Sequence, residues 1–263
     1  MAADTAWLVP VADALGRHAL ALFLALLVLL PAALGCGGRW LVRAEGGDGA
    51  GASGRIGARI GSAAAGVGVV VFATLATLLV AGDGLGAADQ AFADALRASV
   101  PPAALPLFAA VTHLAGTATL TALSITLALL MAVLRQPVLA LGWVLALAGN
   151  GLLNRGLKAL FGRARPLGAD PAWAEAGFSF PSGHSSGAVV AYGLLAYTAF
   201  RLLPARWHGA ALMAAVALAW TVGASRVFLG VHFASDVIAG FASGGVWLLL
   251  CIGGLGLARA PPR

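Results

Sequence analysis

The chain has 263 residues, 60% of them hydrophobic and 10% charged, with a mean hydropathy of +0.94. Soluble domains carry about 25% charged residues, so this composition excludes an ordinary soluble fold and points to an all-α, polytopic membrane bundle. The formal net charge of +6 fits lipid head groups and topology control; no basic stripe alternates with aromatics, which sets a nucleic-acid partner aside.

In chain order, residues 18–35 form an apolar run just long enough to span. Ala33-Leu34-Gly35-Cys36 faintly resembles a lipoprotein cleavage box, but Asp4 and Asp13 precede the lone Arg17. Signal peptides open with positive charge, so an uncleaved helix is expected. Residues 36–61 hold Arg39, Arg43, Arg55 and Arg59 among glycines and read as a flexible basic loop. Together, 1–61 make an N-terminal extension ahead of a core at 62–257 and a short tail at 258–263.

The next span is 62–82. Residues 83–99 are amphipathic, with Phe92 and Leu96 one helical turn apart, and stop at Pro101-Pro102; this is a helix lying at the interface. Further spans are expected at 105–134, 138–161, 185–203, 208–226 and 233–257, which makes seven crossings. His18, His113 and His208 sit at span ends as interfacial residues, and Asp170 and Glu175 are expected as solvated loop charges. Cys36 and Cys251 show no metal-ligand spacing.

Three polar islands interrupt this hydrocarbon. The first runs from Lys158, the only lysine, to Arg165-Pro166; the second is Pro181-Ser182-Gly183-His184; the third is Ser225-Arg226 with His232 and Asp236. Two crossings separate the loops that hold them, so all three return to one membrane face. Lys158, Arg165 and Arg226 are cations near bilayer depth without an acidic partner in the neighbouring motif positions. Converging cations suit a dense anion such as phosphate. Singly, each has a plainer reading: an interfacial cation as a snorkelling anchor, Ser-Gly after proline as a turn and helix cap. Arg155 and Arg163 are expected to face lipid or to pair.

Ser182 can cap a helix whose free N–H groups favour an anion, and Gly183 lets a ligand approach. His184 then stands beside that anion, where protonation suits a general acid. His232 and Asp236, four apart, share a helix face. The carboxylate fixes one ring nitrogen and leaves the other as a nucleophile. This arrangement suggests phosphoryl transfer to histidine without a metal. The remaining functional readings are a lipid phosphotransferase and a transporter, but transporters place polar groups at mid-membrane in broken helices, and here they cluster at span ends.

Loop Lys and Arg residues alternate between the two faces as nine against seven, and nine against two once the five island cations are left out. This sets the C-terminus in the cytoplasm and the islands outside, in an inner or plasma membrane.

The islands resemble the motifs of the phosphatidic acid phosphatase type 2 superfamily: Lys, six residues, Arg-Pro; Pro-Ser-Gly-His; and Ser-Arg, five residues, His, three residues, Asp. All three match at full spacing. The resemblance covers about 62–257 and implies a six-helix phosphatase core, to which this chain adds one N-terminal helix. It implies His232 as nucleophile, His184 as acid and Asp236 as support for the nucleophile. It implies Lys158, Arg165, Ser182, Gly183 and Arg226 around the phosphate, with no metal or other cofactor. Substrates implied are lipid phosphates such as phosphatidate, phosphatidylglycerophosphate or undecaprenyl pyrophosphate. Soluble relatives that act as vanadium haloperoxidases are set aside by the membrane spans.

Overall fold

The computed structural model describes residues 7–44, 50–82, 84–168, 173 and 176–258, with only the backbone for 35–44 and 50–58. Among them are ten α-helices: α1 (Leu8–Arg17), α2 (Ala19–Ala44), α3 (Ala50–Ala81), α4 (Leu85–Ser99), α5 (Leu105–Thr112), α6 (Thr117–Val133), α7 (Pro137–Phe161), α8 (Gly183–Leu202), α9 (His208–Phe228) and α10 (Ala234–Leu257). The spanning ones are α-helical because a backbone crossing lipid must satisfy its own N–H and C=O groups.

Four stretches are long and apolar enough to cross a membrane: Arg59–Ala81, Pro137–Phe161, Ala205–Phe228 and Ala234–Leu257. Two bent pairs add to them. α1 meets the apolar part of α2 at 76°, and α4 meets the Pro102–Ala115 segment at 99°. The second bend follows from Pro101-Pro102, where Val100 and Pro101 are extended. The expected 105–134 span is broken: a 3₁₀ turn at His113–Ala115 and an extended Gly116 separate α5 from α6. Its excess length is thereby used on two packed helices.

The basic stretch expected as a flexible loop is largely helical. Residues 36–44 continue α2 and 50–61 begin α3, while 45–49 lie outside the described residues. Glycine costs about 1 kcal/mol in a helix, but the neighbouring Ala, Leu, Ile and Arg residues favour extension of two strongly apolar spans. Asp170 and Glu175 also lie outside the described residues.

α8 is the central helix. It packs against α7, α9 and α10 and buries ten residues between Ser185 and Thr198. It is absent from the four apolar stretches because protein, rather than lipid, surrounds it. By contrast, the apolar window of α3 is 0% buried.

Glycines let α10 approach α8. A Cβ at Gly240 would stand 2.6 Å from the Ser182 carbonyl oxygen, and one at Gly244 would stand 2.7 Å from that of Ser186. This small-xxx-small stripe permits backbone contact between membrane helices. On the other flank, Phe23, Phe108 and Phe228 tie α2, α5 and α9 together at ring separations of 4.2–5.7 Å. The connections α7–α8 and α9–α10 consequently meet at one end of the bundle.

Candidate active site

Each site residue is placed by the end of a helix. α7 stops at Gly162, which takes a positive φ of 57°, and the chain from Arg163 to Pro166 leaves without regular secondary structure. Ser179 N donates to Arg163 O at 2.8 Å, so the first island and the approach to the second run side by side. Ser182 caps α8, accepting from Ser185 N at 3.4 Å and Ser185 Oγ at 2.9 Å. Its own N–H donates to the Asp236 carbonyl at 3.0 Å, which joins the second island to the third. Asn150 and Asn154 of α7 reach Ser186 Oγ at 3.4 Å each.

The third island forms the buried heart of the site. Asp236 lies in the first turn of α10, and its Oδ2 accepts from Phe233 N at 2.9 Å, a capping arrangement. The same oxygen lies 3.4 Å from His232 Nδ1 and accepts from Ser179 Oγ. His232 is 1% exposed and Asp236 0%. The other ring nitrogen, Nε2, lies 3.3 Å from Arg165 Nη1, which also donates to Val231 O at 2.7 Å.

His232 sits on the α9–α10 connection, and its pKa is lowered to about 4. Burial is the main cause, the Asp236 hydrogen bond and charge oppose it, and Arg226 and Arg165 lower it further. The imidazole is therefore neutral at pH 7. With Nδ1 directed at a carboxylate, the lone pair falls on Nε2.

The remaining predicted residues surround this pair at different depths. Arg226 is buried and donates to Thr112 Oγ1 of α5 at 2.6 Å. Lys158 Nζ donates to Phe178 O. Lys158, Gly183 and His184 line a groove of about 770 Å³ between α6, α7 and the start of α8. Its flanks are Leu120, Ile125, Val144, Leu147 and Leu152, with Asn150, Asn154 and Ser124 between them. The structure thus joins Arg165, His232 and Asp236 by direct contact and sets Lys158 and His184 at the polar end of an apolar groove. His18 and His113 are exposed; His208 Nε2 lies 3.0 Å from Leu203 O. Among the described residues, no group of three His, Cys, Asp or Glu side chains could hold a metal ion.

Three residues carry more of the site than the sequence reading gave them. Arg163, expected to face lipid or pair, is only 8% exposed. It bridges Asp236 Oδ1 at 2.6 Å and Asp89 Oδ2 at 2.7 Å, and donates to Ser235 Oγ at 2.8 Å. Asp89 had a legible signal: it falls on the same stripe of α4 as Phe92 and Leu96, where an acid is out of place. Ser179 had none, since a serine before the second motif is unremarkable in sequence.

A family model described as the PAP2 superfamily matches residues 137–256. The chain is 35% identical over 159 residues to phosphatidylglycerophosphatase B of Bacillus subtilis, covering 60% of this chain and 78% of that protein. It is 42% identical over 110 residues to lipid A 1-phosphatase of Rhizobium etli, covering 38% of this chain and 44% of that protein. Among solved structures, it resembles a transmembrane PAP2 type phosphatidylglycerolphosphate phosphatase from B. subtilis. That likeness has a TM-score of 0.68 at 32% identity, over 74% of this chain and 98% of the other.

Proposed function

Because this chain belongs to the PAP2 superfamily, we propose that it is a membrane phosphatase that hydrolyses a phosphate ester of a lipid at the His232 end of its bundle. The observation that carries the reading is the buried, neutral His232, held between Asp236 at Nδ1 and Arg165 at Nε2. A lone pair and a cation suited to phosphate are presented at the same point.

In this mechanism, His232 Nε2 attacks phosphorus and the bond from phosphorus to the lipid oxygen breaks. His184 gives its proton to that departing oxygen. Asp236 stabilises the positive ring that forms. Water then attacks the phosphohistidine, His184 takes the water's proton, and phosphate leaves with His232 restored. Arg165, Arg226 and Lys158, with the backbone N–H groups after Ser182, meet the charge on the equatorial oxygens, which removes the need for a metal.

The groove suggests the substrate class. Its apolar flanks suit an acyl or prenyl chain, and its polar end holds Lys158 and His184. A lipid would slide in sideways from the bilayer, headgroup towards the site. Relatives named for phosphatidylglycerophosphate and lipid A favour a phosphate monoester on a lipid headgroup. The loop charges favour the outer face for the site.

The test is phosphate release by purified protein in detergent with EDTA, wild type against His232→Ala. Expected is release by the wild type on phosphatidylglycerophosphate, lipid A 1-phosphate or phosphatidate, undiminished by EDTA, and none by the variant. Activity retained in the variant refutes the nucleophile, and loss on chelation refutes the metal-free route. Undecaprenyl pyrophosphate in the same panel separates monoester from pyrophosphate. For the face, Asp170→Cys in a chain lacking Cys36 and Cys251 should label in intact cells; labelling only after permeabilisation places the site inside.

A further inference from the structure

Asp236 has two carboxylate oxygens, and they are held by different groups. Oδ2 serves Phe233 N, Ser179 and His232; Oδ1 takes Arg163 Nη1. The direction of the carboxylate, and so of the imidazole it orients, depends on where Arg163 stands. Arg163 is in turn held on three sides. Its Nη1 also meets Ser235 Oγ, its plane lies 4.2 Å over the Phe233 ring, and its Nη2 is bound by Asp89. Asp89 also accepts from Ser235 N at 3.3 Å and from Ser235 Oγ.

Asp89 is 6% exposed. A buried carboxylate is costly unless it is paired and hydrogen-bonded, and a helix at the interface could stay solvated without one. The charge count offers a reason. One guanidinium lies between two carboxylates, so Asp89 shares the Arg163 charge that Asp236 would otherwise face alone. Asp89 lies on α4, outside the matched region 137–256, and no motif residue stands in its place.

We propose that Asp89 is a positioning residue for this hydrolysis: it fixes Arg163, Arg163 fixes Asp236, and Asp236 aims His232. The proposal rests on the phosphatase reading above. α4 is therefore a working part of the site, held from behind by α1, where a Cβ on Gly16 would stand 2.5 Å from the Phe92 carbonyl oxygen. The charged groups around the cluster are Arg163 and Asp236 beside Asp89, and Asp236, Arg165 and Arg226 beside His232. The α1 pair Asp13–Arg17 is exposed and self-contained.

The experiment compares Asp89→Asn and Ser235→Ala with wild type, each as the full chain purified in detergent. Asp89→Asn should lower kcat by about ten- to a hundredfold, the loss expected for one hydrogen bond to a charged group, with KM unchanged. Ser235→Ala, which keeps the Arg163–Asp89 bridge, should lower kcat less. Histidine NMR titration, assigned with His232→Gln, needs no substrate. In Asp89→Asn the His232 pKa should move down, because with one carboxylate removed the Arg163 charge falls on Asp236 alone and weakens the hold of Asp236 on a protonated ring. A residue that merely anchors α4 would lower Tm and leave kcat per folded molecule and the His232 titration where they were. That result overturns the proposal. Should Asp89→Asn not fold, Arg163→Lys, which cannot bridge both carboxylates, decides: wild-type kcat with an unmoved titration overturns it. A wild type that releases no phosphate from any lipid refutes the phosphatase reading, while the NMR arm still decides the link from Asp89 to His232.

Discussion

Replacing Gly240 with alanine tests whether close helix contact, rather than motif chemistry alone, builds the site. The new Cβ would lie 2.6 Å from the Ser182 carbonyl oxygen and 2.9 Å from Ser185 Cβ. Ordinary contact begins at 3.4 Å, so α8 and α10 have to part by about 0.8 Å, the difference from 2.6 Å. Overpacking of this kind costs about 1–3 kcal/mol. The displaced atom belongs to Ser182, whose N–H is bonded to the Asp236 carbonyl, so the second and third islands separate by the same amount. Misplacement near 1 Å costs about a hundredfold in rate. Gly245 on the same helix is the control, since a Cβ there meets nothing within 4 Å. Thermal unfolding in detergent and phosphate release are measured for both. Gly240→Ala should lose about 2–4 °C for each kcal/mol and most of its kcat; Gly245→Ala should keep both. Equal behaviour of the two variants would refute the reasoning.

Acid should destabilise the protein through His232. Its pKa is 6.5 in the unfolded chain and about 4 in the fold, so the unfolded state takes up the proton first. The contribution of His232 is fully present above pH 6.5, declines as pH falls to about 4, and totals about 3 kcal/mol. Unfolding scans from pH 7 to 4 should show this decline, and His232→Gln should flatten it. In the groove, Ala148 is exposed on α7 and lines the cavity beside Leu147. Ala148→Trp should raise KM for long-chain lipid phosphates while leaving a short-chain, water-soluble phosphate ester unaffected; equal KM on both would place the lipid chain elsewhere.

The class of fold and the meeting of the three islands were legible without coordinates. Spanning helices follow from length and apolar content, because lipid leaves a backbone no other way to bond. Parity of crossings brings Lys158, His184 and His232 to one face; Asp236, expected from its four-residue spacing to share a helix face with His232, instead reaches the ring from the first turn of α10, because His232 stands before that helix. None of this depends on how the helices lean. What depended on tertiary structure was which polar groups carry one another. Arg163 was expected to face lipid or to pair, and its partner could not be named because Asp89 lies 74 residues away in sequence, on a helix whose amphipathic pattern suggested only the membrane surface. The break at Gly116 was hidden because α5 and α6 are both apolar, and periodicity does not mark where an apolar helix turns. The helical 36–44 and 50–61 were hidden because glycine content argues locally against helix, while two long spans carry the helical backbone through. The depth of α8 was concealed for the opposite reason: a helix wrapped in protein needs less hydrocarbon than one that faces lipid. Sequence sets which groups can react; the close approach of α8 to α10 and the Asp89–Arg163–Asp236 bridge decide how firmly they are aimed.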